Sequence, residues 1–464
     1  MRNLHPTALA RPADGASPDG LTELTELTEL DDILATRAID LVFQPIVDFA
    51  TGRPVAFEAL SRGPAGSPLQ RPDRLFATAR ATGRVGELDR LCRARALEAV
   101  VGSALRTPYT VFVNREPSAM ALDAPSVSDR TALQERGVRT VVEFTERDLS
   151  RDPSMLLGFA AKLRAAGVGI ALDDVGAEAD SLALMPFLMP DVIKLDMALL
   201  HRRPDRATVE VLSAVRAHAE RRGAVILAEG IETDEHERLA VAMGATLGQG
   251  WRYGRPGPLP AGVEPLPAPG PPLALRDPEE ELAAASPFAV VTARTAPLRT
   301  SLDLLLALRR DLESGVAAMS GRAVVLLTCP DLPRLGPECA RHYATLAASA
   351  RLAAVLGPGV SEEPVPGLRG SRLPAGDPVG AEWDLVVVSP HFAAAIIARE
   401  RFDAGPEEGR VYDYVLTYDR TVVVDVARSL MARALPAGWS GAGPSGPGPS
   451  DDVAELLTAA GSPR

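Results

Sequence analysis

Short apolar runs in the first half of this chain end, one after another, on a carboxylate, an amide or a lysine. Phe57 leads to Glu58, Val111-Phe112-Val113 to Asn114, and Val141-Val142 to Glu143. Ile170-Ala171-Leu172 leads to Asp173-Asp174, Val192-Ile193 to Lys194, Val225-Ile226-Leu227-Ala228 to Glu229, and Thr246-Leu247-Gly248 to Gln249. Glu58, Asn114, Glu143, Asp173 and Asp174 are oxygen ligands, most of them anionic. If they converge, several carboxylates share one place, and cations are implied. Oxygen-only ligation favours Mg²⁺ or Mn²⁺ over Zn²⁺. The pair Asp173-Asp174 suits two ions, and two ions about 3.5–4 Å apart suit in-line phosphoryl displacement. Lys194 would orient the attacking water or neutralise transition-state charge, and Glu229 is a candidate general base. Singly, each residue has a plainer reading as a helix cap, ion-pair partner or turn; the joint recurrence is what points to a site.

The elements that would carry these residues are buried parallel strands, which read as short continuous apolar runs. Their polar ends would share one wet rim, and in an α/β barrel that rim is the C-terminal face, where active sites are built. Between the runs, residues 74–101, 153–166, 206–221 and 235–243 have helical patterning, so βα units follow one another from residue 39 to about 256. The first two strands, about 41–47 and 54–60, are joined by Phe49-Ala50-Thr51-Gly52. So short a link predicts a hairpin and a departure from strict (β/α)₈ order.

Composition sets outer limits. The chain has 464 residues, room for about two to three domains. Its formal net charge of −12 argues against a general nucleic-acid binder, yet leaves room for one anionic ligand held through metal ions. Cys92, Cys329 and Cys339 lack metal-ligand spacing and are too few for a disulfide framework. No apolar run reaches the roughly 18 residues of a membrane span, and the N-terminus lacks the apolar stretch of a secretory signal, so a cytoplasmic protein is expected. Residues 1–20 and 437–464 read as disordered, 259–282 as a Pro/Gly-rich linker, and LTELTELTEL (21–30) as a helical lead-in.

QPIVDFATGRPVAFEALSR, with Glu58-Ala59-Leu60 followed by Arg62, resembles the opening of the EAL family of cyclic-di-GMP phosphodiesterases. EFTE (143–146), DD (173–174), IKLD (193–196), AEGIET (228–233) and GQGWRYGRP (248–256) follow in the family's order. The resemblance implies a modified TIM (β/α)₈ barrel over about 21–258, with an antiparallel first strand, that opens cyclic di-GMP to linear pGpG. It implies that Glu58, Asn114, Glu143, Asp173 and Asp174 are metal ligands for two Mg²⁺ or Mn²⁺ ions. Lys194 and Glu229 match the catalytic pair, with Glu146 beside them. Gln44, Leu60, Arg62, Asp196 and Gln249 match positions that contact or support the nucleotide. The resemblance also implies a homodimer through the barrel. One segment departs after the Asp pair: the family reads close to DDFGTGYSSL, whereas here Val175, Glu178, Ala179 and Asp180 stand in DDVGAEADSL. A barrel that binds cyclic di-GMP without cleaving it, as a receptor, is the alternative.

A second, smaller α/β domain is expected over 283–436, with strands near 323–328, 353–357, 384–389 and 413–419 and helices near 302–312, 339–350 and 422–434. FDAGPEEGRVYDYVLTYDRTVVVDVARSLM (402–431) resembles the DICT family of sensory modules, Tyr412-Asp413-Tyr414 and Thr417-Tyr418-Asp419-Arg420 being the distinctive letters. The resemblance implies a sensory role for an unknown signal or protein partner.

Overall fold

The computed structural model describes residues 18–116, 133, 135–145, 153–176, 182–259, 269–275, 285–319, 322–328, 337–401 and 410–434. Nearly all of the expected disordered N-terminus, the whole of the 437–464 tail and Glu146 lie outside them. The chain enters through α1 (Pro18–Thr36), which includes the period-three repeat. Leu30 and Ile33 of α1 are buried against Leu75, Leu88 and Cys92. These last belong to α2 (Pro72–Ala81) and α3 (Val85–Gly102). Residues 74–101 read as one helix in the sequence, but Gly83 takes φ +70° and splits it in two.

The barrel strands are β1 (Asp40–Asp48), β2 (Arg53–Arg62), β3 (Thr110–Asn114), β4 (Arg139–Thr145), β5 (Gly169–Val175), β6 (Val192–Leu195), β7 (Val225–Ala228) and β8 (Leu247–Gln249). They close in sequence order, β8 returning to β1. The expected hairpin is present: β1 is antiparallel to both β2 and β8, whereas β2 to β8 pair in parallel. The barrel helices that follow are α4 (Pro153–Ala165), α5 (Met185–Leu188), α6 (Ala198–His201), α7 (Arg206–Arg222) and α8 (Asp234–Ala242).

Strand alternation builds the interior in layers. Ile46, Ala56, Phe112, Val141, Ala171, Val192, Leu227 and Leu247 form one cluster inside the barrel. Side chains on a strand return to the same face every second residue. Two positions further along each parallel strand therefore stand Glu58, Asn114, Glu143, Asp173, Lys194, Glu229 and Gln249. Because β1 runs the other way, Gln44, two residues before Ile46, reaches the same rim. The intervening Leu172, Ile193, Ile226 and Ala228 belong instead to a cluster outside the barrel. At the opposite end, Leu273 is buried in the interior cluster, Arg139 donates to its carbonyl at 3.1 Å, and Gly270 N bonds Pro54 O at 2.9 Å. Part of the segment read as linker, residues 269–275, is thus packed on the barrel floor.

The second domain has α9 (Pro287–Thr292), β9 (Leu298–Ser301), α10 (Leu302–Val316), β10 (Val324–Thr328), α11 (Pro337–Ser349), β11 (Leu352–Gly357), β12 (Arg369–Arg372), β13 (Glu382–Val388), β14 (Ala393–Arg401), β15 (Val411–Thr417) and α12 (Arg420–Arg433). Its mixed sheet has the order β12-β11-β10-β13-β14-β15-β9. The sequence reading missed β14, because AAAIIARER is rich in the helix formers Ala, Arg and Glu. Burial between β13 and β15 overrides that preference. Helix α12 is buried from Val422 to Val426 without interruption, as expected of a helix covered on more than one side. Val422, Val423, Leu430 and Met431 share one apolar cluster with Leu156, Leu163, Phe187 and Leu188 of α4 and α5. The two domains therefore meet through a continuous core.

Candidate active site

The rim gathers its polar side chains around one ammonium. Lys194 is 0% exposed. Its Nζ lies 2.7 Å from Glu143 Oε1, 2.9 Å from Asp173 Oδ1, 2.8 Å from Glu229 Oε1 and 3.6 Å from Glu58 Oε1. Asp173, Asp174 and Glu229 bring one oxygen each to within 4.8 Å of one another. Asn114 Nδ2 donates to Glu58 Oε1 at 3.2 Å. Gln249 Nε2 donates to Glu58 Oε2 and, at 3.2 Å, to Gln44 Oε1.

The charge balance is one-sided. Burial works to strip Lys194 of its proton, but Asp173, Glu143, Glu229 and Glu58 outweigh it and hold the ammonium well above the usual lysine value. Burial, with Glu58 and Asp173 adding, pushes Glu143 far up despite the lysine beside it. Burial likewise lifts Glu229 to about 8 against the pull of Lys194, Asp173 and Glu58 again adding. Glu58 is held below the ordinary range, since Lys194 and the bonds from Gln249 and Asn114 overcome its burial. A cluster that holds on to protons in this way has more negative charge than one lysine neutralises. Its donors are all oxygen apart from the lysine, and they fit divalent Mg²⁺ or Mn²⁺. Glu58, Asn114, Glu143, Asp173 and Asp174 would hold such ions.

Several features fix the geometry. Asp174 has φ +57°, a left-handed conformation that Asp tolerates better than most residues, and its N–H bonds Asp173 Oδ1 at 3.0 Å. The glycines flanking Gln249 are required by close approach. A Cβ at Gly248 would stand 2.3 Å from the Phe49 ring, and one at Gly250 would stand 2.1 Å from the Ile231 carbonyl oxygen. Asp89 of α3, which the sequence reading missed, is buried. It accepts Glu116 N at 2.9 Å and Arg93 Nε at 2.9 Å, with Arg115 Nε at 3.9 Å. It thereby braces the residues that follow Asn114. The one signal for it in the sequence is a carboxylate on the apolar face of α3, among Val85, Leu88, Leu91 and Cys92.

Two family models match the chain in tandem. Residues 28–256 match the EAL domain, and residues 285–401 match DICT, the sensory domain in diguanylate cyclases and two-component systems. The chain joins an EAL domain to a DICT domain. Among relatives of the EAL barrel, the cyclic di-GMP phosphodiesterase NbdA of Pseudomonas aeruginosa is 30% identical over 250 residues, covering 52% of this chain and 31% of that protein. The probable cyclic di-GMP phosphodiesterase PdeB of Escherichia coli is 30% identical over 237 residues, covering 49% of this chain and 44% of PdeB. This chain thus spans less than half the length of these curated relatives. Among solved structures, the PaMucR phosphodiesterase in complex with c-di-GMP is 27% identical with a TM-score of 0.44, covering 50% of this chain and 97% of that one.

The EAL barrel brings the expected ligand, lysine and glutamate positions together, and it places the others at varying distance from them. Gln44 Nε2 bonds Gly254 O at 3.1 Å, which ties the loop after β8 to the rim. Arg62 ends β2, its guanidinium bonding Ser61 O at 2.9 Å; burial lowers its pKa while Glu58 raises it. Leu60 lies between Glu58 and Arg62 on the same strand, partly exposed. Asp196 does not join the carboxylates: its Oδ1 accepts Ala198 N at 2.7 Å and starts α6. Of the departing segment, Val175 is fully buried and pairs with Leu195; 178–180 lie outside the described residues. No helix of the described residues is long and apolar enough to cross a membrane.

Proposed function

We propose that the EAL barrel is a divalent-metal-dependent phosphodiesterase that opens cyclic di-GMP to pGpG, and that the DICT domain regulates it. One observation carries this reading: Glu58, Asn114, Glu143, Asp173, Asp174, Lys194 and Glu229 meet on one rim, each with a polar atom within 4.8 Å of another's. The named relatives NbdA and PdeB support the substrate.

Bound Mg²⁺ or Mn²⁺ ions would lower the pKa of a water and offset charge at the scissile phosphate. The chain's own residues do the rest. Lys194, held protonated, donates toward the attacking oxygen and balances the charge that builds on phosphorus. Glu229, whose affinity for protons is already raised, takes the proton the water loses. Water adds at phosphorus, the P–O3′ bond breaks, and the 3′-oxygen leaves with a proton, giving the 5′-phosphate of pGpG. In this reading Arg62 would contact a phosphate and the Gln44–Gln249 pair a base edge. Asp196 acts indirectly, by holding α6. A homodimer through the barrel and a cytoplasmic location belong to the same proposal.

The test is release of pGpG from cyclic di-GMP with Mg²⁺ or Mn²⁺, followed beside nucleotide binding. Glu58→Ala should lower turnover at least about a thousandfold; unchanged turnover would sink the metal assignment. The receptor reading rests on Glu178 and Asp180, which set two carboxylates where the family has a glycine and a serine. Binding without pGpG release would select it.

A further inference from the structure

An open recess of about 540 Å³ lies between the first turns of α7 and the DICT domain. Sites for small organic molecules fall in the range of about 300–1,000 Å³, so the recess has the capacity of one. The barrel contributes Arg206, Ala207 and Glu210 of α7; the DICT domain contributes Ala318, Met319, Arg322 and the turn between β13 and β14. None of the residues assigned to catalysis lines it.

The lining has two characters. Leu182, Ala207, Ala318 and Met319 offer aliphatic surface, with Leu182 buried and Met319 partly buried. The charged part is built on Glu210, which holds one guanidinium from each domain. Its Oε1 accepts Arg206 Nε at 3.1 Å, and its Oε2 accepts Arg322 Nη1. Both carboxylate oxygens are thereby engaged, while the Nη groups of Arg206 have no acceptor among the described residues. The His391 ring, also in the lining, has no partner among them either. The Arg206 side chain is 94% exposed, so its free nitrogens stand in water and can exchange it for a ligand oxygen.

We propose that this recess binds a small organic monocarboxylate, its carboxylate paired with the arginines that flank Glu210 and its apolar body laid against Ala318, Met319 and Leu182. A guanidinium fork matches the two oxygens of a carboxylate. One negative charge also matches the surplus of two guanidinium groups over one carboxylate in the lining. A phosphate dianion would set a second charge beside Glu210, which disfavours it. The aliphatic wall selects against acids with no apolar body. An occupant touches α7 and the DICT domain together, so its binding favours the arrangement in which they are apposed. The site stands independently of turnover at the rim.

The experiment is calorimetric titration of the full chain with benzoate, phenylacetate and hexanoate, each beside its uncharged amide. Divalent metal is left out and ionic strength is held constant, so that neither catalysis nor screening contributes. Saturable binding of at least one carboxylate is expected, at least about threefold tighter than its amide. Ala207 and Ala318 are exposed, so Ala207→Trp and Ala318→Trp enter no packed core. Each fills the recess and should weaken binding at least about tenfold by steric exclusion. Arg206→Gln leaves Glu210 paired with Arg322 and should weaken binding about threefold to fivefold. Arg216→Gln, later on α7 and outside the lining, should leave it intact. No saturable response to any of the carboxylates, equal binding of carboxylate and amide, or binding that both tryptophan variants retain in full overturns the site.

Discussion

Lys194 and Glu143 stand 2.7 Å apart at the centre of the rim, yet this close ion pair leaves the glutamate's proton affinity raised. Burial is the first reason, with Glu58 and Asp173 adding to it, and the opposing Lys194 is shared. Asp173 and Glu229 also contact it within 3 Å, so no single carboxylate receives its full charge. Lys194→Met keeps much of the volume and removes the shared cation. Breaking a buried ion pair costs about 3–5 kcal/mol, so the metal-free variant should melt several degrees lower. Mn²⁺ should recover part of that loss, and turnover should fall at least about a hundredfold. Thermal scans with and without Mn²⁺ check this; an unshifted metal-free melting point would mean the cluster is not held by the lysine.

Asp174 combines a carboxylate at the rim with a left-handed backbone. Glycine adopts that conformation without a Cβ penalty and alanine does not. Asp174→Gly should therefore be more stable than Asp174→Ala by about 1 kcal/mol, while both lose most turnover. Denaturant titration of the two variants gives the difference. Equal stability would show that the φ imposes no cost at this position.

Glu382 and Asp384 lie two residues apart on β13, both fully buried. Burial first, then Glu382, pushes the Asp384 carboxyl well above its ordinary range, with Thr328 opposing. A group whose folded pKa is raised contributes stability below its unfolded pKa, about 3.9 for Asp. That stability is lost as pH rises through the folded value. Asp384→Asn imitates the protonated form. It should match the unaltered chain near pH 4 and exceed it by about 1–3 kcal/mol at pH 7.5. Thermal unfolding of both across that range is the measurement, and parallel profiles would refute the assignment.

Asp425 reaches Arg222 in the barrel and Arg294 in the DICT domain from a nearly closed position. Asp425→Ala leaves those guanidinium groups facing each other across the seam. Both arginines retain some solvent, so the expected loss is about 1–3 kcal/mol. Its signature is in the calorimetric trace: one cooperative transition should separate into two. A single transition in the variant would show that the apolar contacts of α12 suffice to couple the domains.

The site was legible in the sequence because alternation on a buried strand is strict: a polar residue two positions beyond Val141, Ala171 or Val192 has to face the same interior. Glu143, Asp173 and Lys194 follow from that rule alone. Asp196, matched by its motif to a position that contacts or supports the nucleotide, sits just past the end of β6, where its carboxylate accepts Ala198 N at 2.7 Å. Asp89 was hidden because helical patterning gives no cue to a partner 27 residues away at Glu116. The strand β14 was hidden because alanine and arginine favour helix when no neighbour is considered.

Leu273 has a practical consequence for where the chain is divisible. It occupies the floor of the barrel from beyond the apparent end of that domain, and Leu275 lies against Gly169, its Cδ2 2.8 Å from a Cβ placed on the glycine. A chain cut after residue 258 would keep every rim residue yet leave the bottom of the barrel uncorked, exposing an apolar seat worth about 1.5–3 kcal/mol. The same cut made after Leu275 retains the stopper. Low activity in the shorter fragment would then reflect a leaking floor rather than the loss of the DICT domain.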